Sequence, residues 1–187
     1  MTSAQIVALQ KRIGTNPDGF WGGKSIAACK AHLRALMPAP HPWPRSDQAS
    51  LRAFYGHPED NSDIISIEAP EWMRLYDGDT RLKTIQVHKK CAASLLRALN
   101  AAYAVAPDFA RRYFGCHVDR NMRGGNLPSL HAYGAAIDLA ASTNGNNVHW
   151  PTVADMPLEV MEAFAREGWL SAGAFWSRDS MHMQATQ

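Results

Sequence analysis

A chain of 187 residues can bury one ordinary core, or one core with a small appendage, and is cramped for two full domains. With 46% apolar and 19% charged residues and six tryptophans, its composition excludes an intrinsically disordered chain. A formal net charge of only +2, with no run of Lys or Arg interleaved with aromatics, gives a nucleic-acid partner little electrostatic support, although it is compatible with an anionic polymer without requiring one.

No apolar stretch approaches the length of a membrane span, so no membrane insertion is expected. The opening MTSAQIVALQKRIG is an amphipathic pattern broken by Gln, Lys and Arg and lacks a signal-peptide core, so the chain is expected to be made in the cytoplasm and to stay soluble there. Cys29, Cys91 and Cys116 are odd in number and far apart, with no CxxC pair, which argues against a disulfide framework or a zinc knuckle. Cys29 and Cys91 fall on apolar helix faces, where a buried thiol acts as a small hydrophobe.

In chain order, residues 3–13 place Ile6, Leu9, Gln10 and Ile13 on one helical face, with Ser3 able to cap the start and Gly14 to end it. A Pro/Gly turn at NPDGFWGG leads into a second amphipathic helix carrying Ile26, Cys29, Leu33 and Leu36. The Pro-rich stretch 38–45 cannot be helix interior and reads as a boundary or a strap lying on the next domain. Residues 46–82 mix short apolar runs with turn formers and suggest one strand around Ile64, Ile65 and Ile67. From Thr84 to Ala104 the apolar positions recur at helical spacing and predict the main core helix. A strand at YFGCHV follows, then a loop RNMRGGNLPS, a strand at AAIDLA and a helix after Pro157 ending at Gly168. Closing strands are predicted near AFWS and MHMQ. These elements predict an α+β fold with a small, largely antiparallel sheet, flanking helices and a short N-terminal helical segment. The organisation read from them is residues 1–37 as that segment, 38–59 as a linker or strap, and 60–187 as the chemical domain.

The stretch from Ser129 to Asp138 puts an imidazole, His131, after a Gly-rich loop and a carboxylate inside an apolar strand. Asp138 sits between Ile137 and Leu139, so alternation turns it to the other face, where an enclosed and unpaired charge would be costly. His131, Asp138 and a second histidine would make a three-ligand site with one open position, as in catalytic rather than structural zinc sites. His182 is the best candidate for the third ligand. It shares a strand face with Gln184, while Met181 and Met183 take the other. Asp179, three residues before it across a turn, can approach a metal-activated water without being a ligand, as a general base must.

An isolated strand histidine is more often an ordinary hydrogen-bonded residue, and DxxH alone is weak. The conjunction is not: Ser, His, Gly, Ala and Asp at these five offsets should occur by chance in roughly one chain in ten thousand of this size. The SxHxxGxAxD pattern, followed by a GW and a D-x-M-H element, resembles the LAS (lysostaphin-type, D-Ala-D-Ala) metallopeptidases. More narrowly it is similar to the branch of D-alanyl-D-alanine carboxypeptidases and phage endolysins (L-alanyl-D-glutamate peptidases). The resemblance covers residues 60–187 in outline. It implies a LAS/Hedgehog-like peptidase core, one zinc ion on His131, Asp138 and His182, and a catalytic acid at Asp179. It also implies an upstream arginine holding the carbonyl or carboxylate of the substrate.

Arg120 and Arg123 lie in the loop before Ser129, and either guanidinium could stabilise an oxyanion, with Arg120 preferred. Ser129 could bond a substrate amide or simply cap the turn. Gln184 stands where relatives often carry an acid, so a carboxylate partner for the last ligand is missing. Cys116 and His117 lie close upstream but lack a partner at recognisable spacing. His32, His41, His57, His88 and His149 read as surface or core residues, and Trp150, Trp169 and Trp176 as core or groove. Residues 9–22 and the helix after them resemble half of a peptidoglycan-binding module. A wall anchor and a docked helical pair remain equal alternatives for that segment.

The expected activity is therefore zinc-dependent hydrolysis of a stem-peptide bond in bacterial peptidoglycan, L-Ala–D-Glu, by a monomeric endolysin that waits in the host cytoplasm until lysis opens the wall. The alternatives are a D,D-carboxypeptidase or dipeptidase acting on D-Ala-D-Ala, and a non-catalytic wall-binding protein with structural zinc.

Overall fold

A computed structural model describes residues 1–187. Helix α1 (Ser3–Arg12) is capped by Thr2 rather than Ser3: the Thr2 hydroxyl accepts the Gln5 N–H while the Gln5 side chain accepts the Thr2 N–H. Ile6, Leu9, Gln10 and Ile13 are all buried, as their spacing requires. The Gln10 amide donates to Asp18, to the Phe20 carbonyl and to Ser25, so one buried side chain organises the whole turn into α2 (Gly23–Leu36). The Pro-rich stretch runs as a strap: the Trp43 indole N–H donates to the Glu167 carbonyl, and Gln187 reaches back to Pro44.

Residues 46–82 contain more structure than their sequence suggests. Asp47 caps α3 (Gln48–Tyr55), whose Leu51 and Tyr55 enter the core, and the Tyr55 hydroxyl donates to the Ala185 carbonyl. Strand β1 (Ile64–Glu68) is where it was expected, and the two-residue β2 (Arg74–Leu75) is additional. The long helix expected from Thr84 is shorter. Residues 84–88 are β3 (Thr84–His88), paired antiparallel with β1, and α4 (Ala92–Val105) begins only after the turn at Lys89 and Lys90. Ile85, His88 and Cys91 lie at helical spacing by coincidence; the Thr-Ile-Gln-Val alternation, with Ile85 and Val87 fully buried, belongs to a strand.

After α5 (Pro107–Ala110), β4 (Arg112–Gly115) and β5 (Ala136–Leu139) come α6 (Ala141–Asn144) and α7 (Leu158–Ala165), then β6 (Leu170–Ser171). The strand expected near AFWS is instead α8 (Ala172–Trp176). Its residues 172–175 are all buried, so no period in the sequence distinguished helix from strand. Strand β7 (His182–Gln184) closes the chain. The main sheet has the order β2-β4-β5-β7-β6, antiparallel except for the β2–β4 pair, and β1–β3 form a second small sheet. The fold is the expected α+β arrangement, with β5 at the centre of the sheet and β7 beside it. No helix is long and apolar enough to cross a membrane.

One core of 41 buried residues takes in Leu9, Ile13, Cys29 and Leu33 from the first two helices together with β5, α7 and β7. The contact of α1 and α2 with α7 holds a mostly buried carboxylate. Glu162 accepts from Arg12 Nε at 2.9 Å and lies 2.8 Å from His32 Nε2. Burial raises the Glu162 pKa, but the hydrogen bonds from Arg12 and His32 outweigh it and leave the group lowered. A lowered carboxylate pKa adds stability that is fully present above its ordinary 4.5 and is lost as pH falls through the folded-state value. Arg12→Ala should therefore cost about 1–2 kcal/mol in urea unfolding at pH 7, discounted for the exposure of Arg12, and progressively less below pH 4.5. An equal loss at pH 7 and pH 3 would show that Arg12 acts through packing alone.

Candidate metal centre

Strands β5 and β7 are in register with Asp138 directly opposite His182, which puts a carboxylate and an imidazole on the same face of the sheet. His131 comes to them from a tight turn. The Ser129 hydroxyl accepts the His131 N–H at 3.3 Å, and Gly134 closes the turn by donating to the His131 carbonyl. Gly134 has φ +61°, and a Cβ there would lie 2.6 Å from the His88 nitrogen and 2.7 Å from Ile64 Cδ1, so only glycine lets the turn lie against β3. Two of the five motif letters, Ser129 and Gly134, thus shape the loop that aims His131.

Three atoms converge: His182 Nδ1 and Asp138 Oδ1 are 3.0 Å apart, His131 Nε2 and His182 Nδ1 3.1 Å, and His131 Nε2 and Asp138 Oδ1 3.3 Å. Each presents an electron pair. His131 Nδ1–H donates to the Cys116 carbonyl at 2.6 Å, which assigns the lone pair to Nε2. His182 Nε2–H points to Gln184 Oε1 at 3.1 Å, and Gln184 is oriented by donating from Nε2 to Thr186 at 2.6 Å; this assigns the lone pair of His182 to Nδ1. Three electron pairs so close together call for a cation. Tetrahedral zinc with bonds of about 2.0–2.1 Å sets its ligand atoms roughly 3.3 Å apart, so the residues present fit that ion. A proton is the competitor. Burial lowers the His182 pKa, but its hydrogen bond with Asp138 outweighs this and leaves it raised. Asp138 behaves conversely: burial raises it, and the two imidazoles hold it well below the usual carboxylate range.

Asp179 stands outside this group. Its carbonyl accepts the His182 N–H at 2.9 Å, its φ of 59° is left-handed, and its Oδ1 is buried with no hydrogen-bond partner. Burial pushes its pKa up, as does Asp138, against the opposing pull of His182 and Arg123. The group opens into a cleft of about 500 Å³, lined by the three candidate ligands together with Asp179, Ser129, Arg120 and Arg123. Residues not singled out also line it, notably Ser46, Asn146 and Arg178, which carry no motif of their own. Trp176 is 47% exposed and lines the cleft, whereas Trp150 and Trp169 are core. Cys116 contributes its carbonyl, not its thiol. His117 and the five scattered histidines do not join the group.

Residues 123–185 match the family model described as D-alanyl-D-alanine carboxypeptidase. The matched span holds all three candidate ligands and Asp179; Arg123 is its first residue and Arg120 lies outside it. No curated protein and no solved structure matches the chain. Over this span the chain is similar to a family of zinc-dependent peptidases, and that likeness, with a cluster that can hold the ion, supports a peptidase.

The Gln184 amide orients His182 as an acidic partner would. Partners of this kind typically contribute tenfold to a hundredfold in metal affinity, so Gln184→Ala should weaken zinc binding by about that factor in competition with a chromophoric chelator. Unchanged affinity in a folded variant would show that the strand alone positions His182.

Proposed function

We propose that the chain is a zinc-dependent peptidoglycan peptidase that cuts the L-Ala–D-Glu bond of the stem peptide, in the manner of a phage endolysin. The observation that carries this reading is the convergence of three lone-pair donors in an open cleft beside the half-buried Asp179, whose Oδ1 has no hydrogen-bond partner. Bound there, zinc would act as a Lewis acid on the substrate carbonyl and lower the pKa of water. Asp179 accepts the proton of the attacking water and passes it to the leaving amine; its Oδ1, which has no hydrogen-bond partner, is free to take that proton. Arg120 or Arg123 supplies a guanidinium for the developing oxyanion, with Arg120 preferred. Ser129, already bonded to the His131 N–H, can offer its hydroxyl to a substrate amide as well.

In this reading the enzyme acts as a monomer, waits in the host cytoplasm and reaches the wall at lysis. Residues 60–187 carry the chemistry and 38–59 strap it. Residues 1–37 act foremost as a docked pair, because α1 and α2 supply core residues and the partners of Glu162. The description of the matched family favours a second reading, removal of D-Ala from D-Ala-D-Ala by the same residues. A non-catalytic role with structural zinc is favoured by nothing in the open cleft.

Digestion of purified sacculi separates these: new N-terminal D-Glu is expected, released D-Ala would indicate the carboxypeptidase, and binding without soluble fragments would end the enzymatic reading. The two carboxylates should fail differently. Asp138→Asn removes a charged ligand, so zinc content and activity fall together. Asp179→Asn should keep its zinc and lose about 100- to 10,000-fold in rate. Loss of zinc from Asp179→Asn would make that carboxylate a ligand, and near-normal activity would remove it from the mechanism.

A further inference from the structure

The ion pairs made by arginine in this chain involve Arg12, Arg81, Arg97, Arg111 and Arg112. Arg120, Arg123 and Arg178 are not among them, and all three line the cleft of the candidate metal centre. The carboxylates there are Asp138, committed to the two imidazoles, and Asp179. Three guanidiniums against two carboxylates leave the cleft positive, more so with a divalent cation in place, and such a cleft concentrates anionic ligands.

Arg178 is held differently from the other two. It lies between two non-glycine residues in the left-handed region, Ser177 (φ 61°, ψ 17°) and Asp179 (φ 59°), a conformation that persists only where surrounding contacts enforce it. Those contacts are present. The Trp150 N–H donates to the Ser177 carbonyl at 3.2 Å, His149 and Arg178 form an antiparallel bridge, and the His182 N–H donates to the Asp179 carbonyl. One pinned turn therefore sets Arg178, the candidate base and a candidate ligand at once. Arg178 is exposed, with its guanidinium in no hydrogen bond, and Trp176 beside it offers an exposed ring to the cleft.

We infer that Arg178 is a specificity-determining residue, binding a carboxylate that flanks the bond to be cut, so that the substrate is an acidic peptide whose aliphatic part packs on Trp176. The inference rests on the peptidase reading. A guanidinium recognises a carboxylate through two parallel N–H bonds; one of Arg120 and Arg123 serves the carbonyl, and Arg178 is the cleft arginine whose backbone the pinned turn fixes beside Asp179. In a stem peptide the carboxylate can be the free α-carboxylate of γ-linked D-Glu or the C-terminal one.

The test uses full-length, zinc-loaded protein carrying Asp179→Asn, which binds without rapid turnover. The titrant is L-Ala-γ-D-Glu-L-Lys-D-Ala-D-Ala, or the same peptide amidated at the D-Glu α-carboxyl or at the C-terminus. Adding Arg178→Gln should weaken binding of the acid by about tenfold to a hundredfold. One of the amides should bind the unchanged Arg178 protein equally weakly, and combining that amide with Arg178→Gln should cost nothing further. Which amide shows this identifies the carboxylate. Arg178→Lys should fall between, keeping charge but losing the fork. If Arg178→Gln binds the acid as tightly as its parent, or if the protein and peptide changes add independently, the inference is wrong. Hydrolysis of the same pentapeptide by the protein with Asp179 intact is read separately: its absence overturns the peptidase reading, whereas the binding cycle alone decides the role of Arg178.

Discussion

Two imidazole lone pairs and a carboxylate oxygen within 3.3 Å of one another repel unless a cation lies among them, and much of this chain serves to hold them there. The β5–β7 register fixes Asp138 opposite His182. The irregularity in the β4–β5 pairing at Tyr113 and Gly115 comes just before Cys116, whose carbonyl locks the tautomer of His131. Gln184 and Thr186 do the same for His182 from the far side. Apolar packing could not substitute for these contacts. An imidazole free to exchange its tautomer would present a proton where the cluster needs an electron pair.

The outer layers support that arrangement at a distance. Helix α7 packs on α4 and on α2, and the strap carrying Trp43 crosses the turn at Glu167 that leads into β6. Through β6 the same layer reaches β7, and α3 touches it from another direction where the Tyr55 hydroxyl meets the Ala185 carbonyl. Displacing α1 and α2 would take Arg12 and His32 away from Glu162 and uncover the core residues packed beneath them, which couples the first residues of the chain to the elements behind the site.

The site was more legible in the sequence than the fold around it. The His131 to Asp138 spacing and the D-x-M-H element encode chemistry that few other arrangements of side chains can satisfy, and all of those residues line one cleft. The Thr84 segment misled because Ile85, His88 and Cys91 fit a helical period that a strand and a turn also produce. Helix α3 was hidden by its eight residues and its place after a Pro-rich strap, and α8 by burial on all sides. The roles of Cys116 and Gln184 could not be read because one acts through its backbone and the other through an amide aligned only by tertiary contact. Arg178 carries no spacing signal; it matters because a turn with two left-handed residues delivers it to the cleft.

Whether the converging lone pairs hold a metal is the claim on which all else depends, and anomalous diffraction at the zinc edge from crystals of the full chain tests it most directly. One zinc per chain is expected, bonded at about 2.0–2.2 Å to His131 Nε2, His182 Nδ1 and an Asp138 oxygen, with Asp179 near but unbonded. A zinc-supplemented crystal with no anomalous peak among these three residues, or with His131 flipped so that Nδ1 faces the cleft, would contradict it.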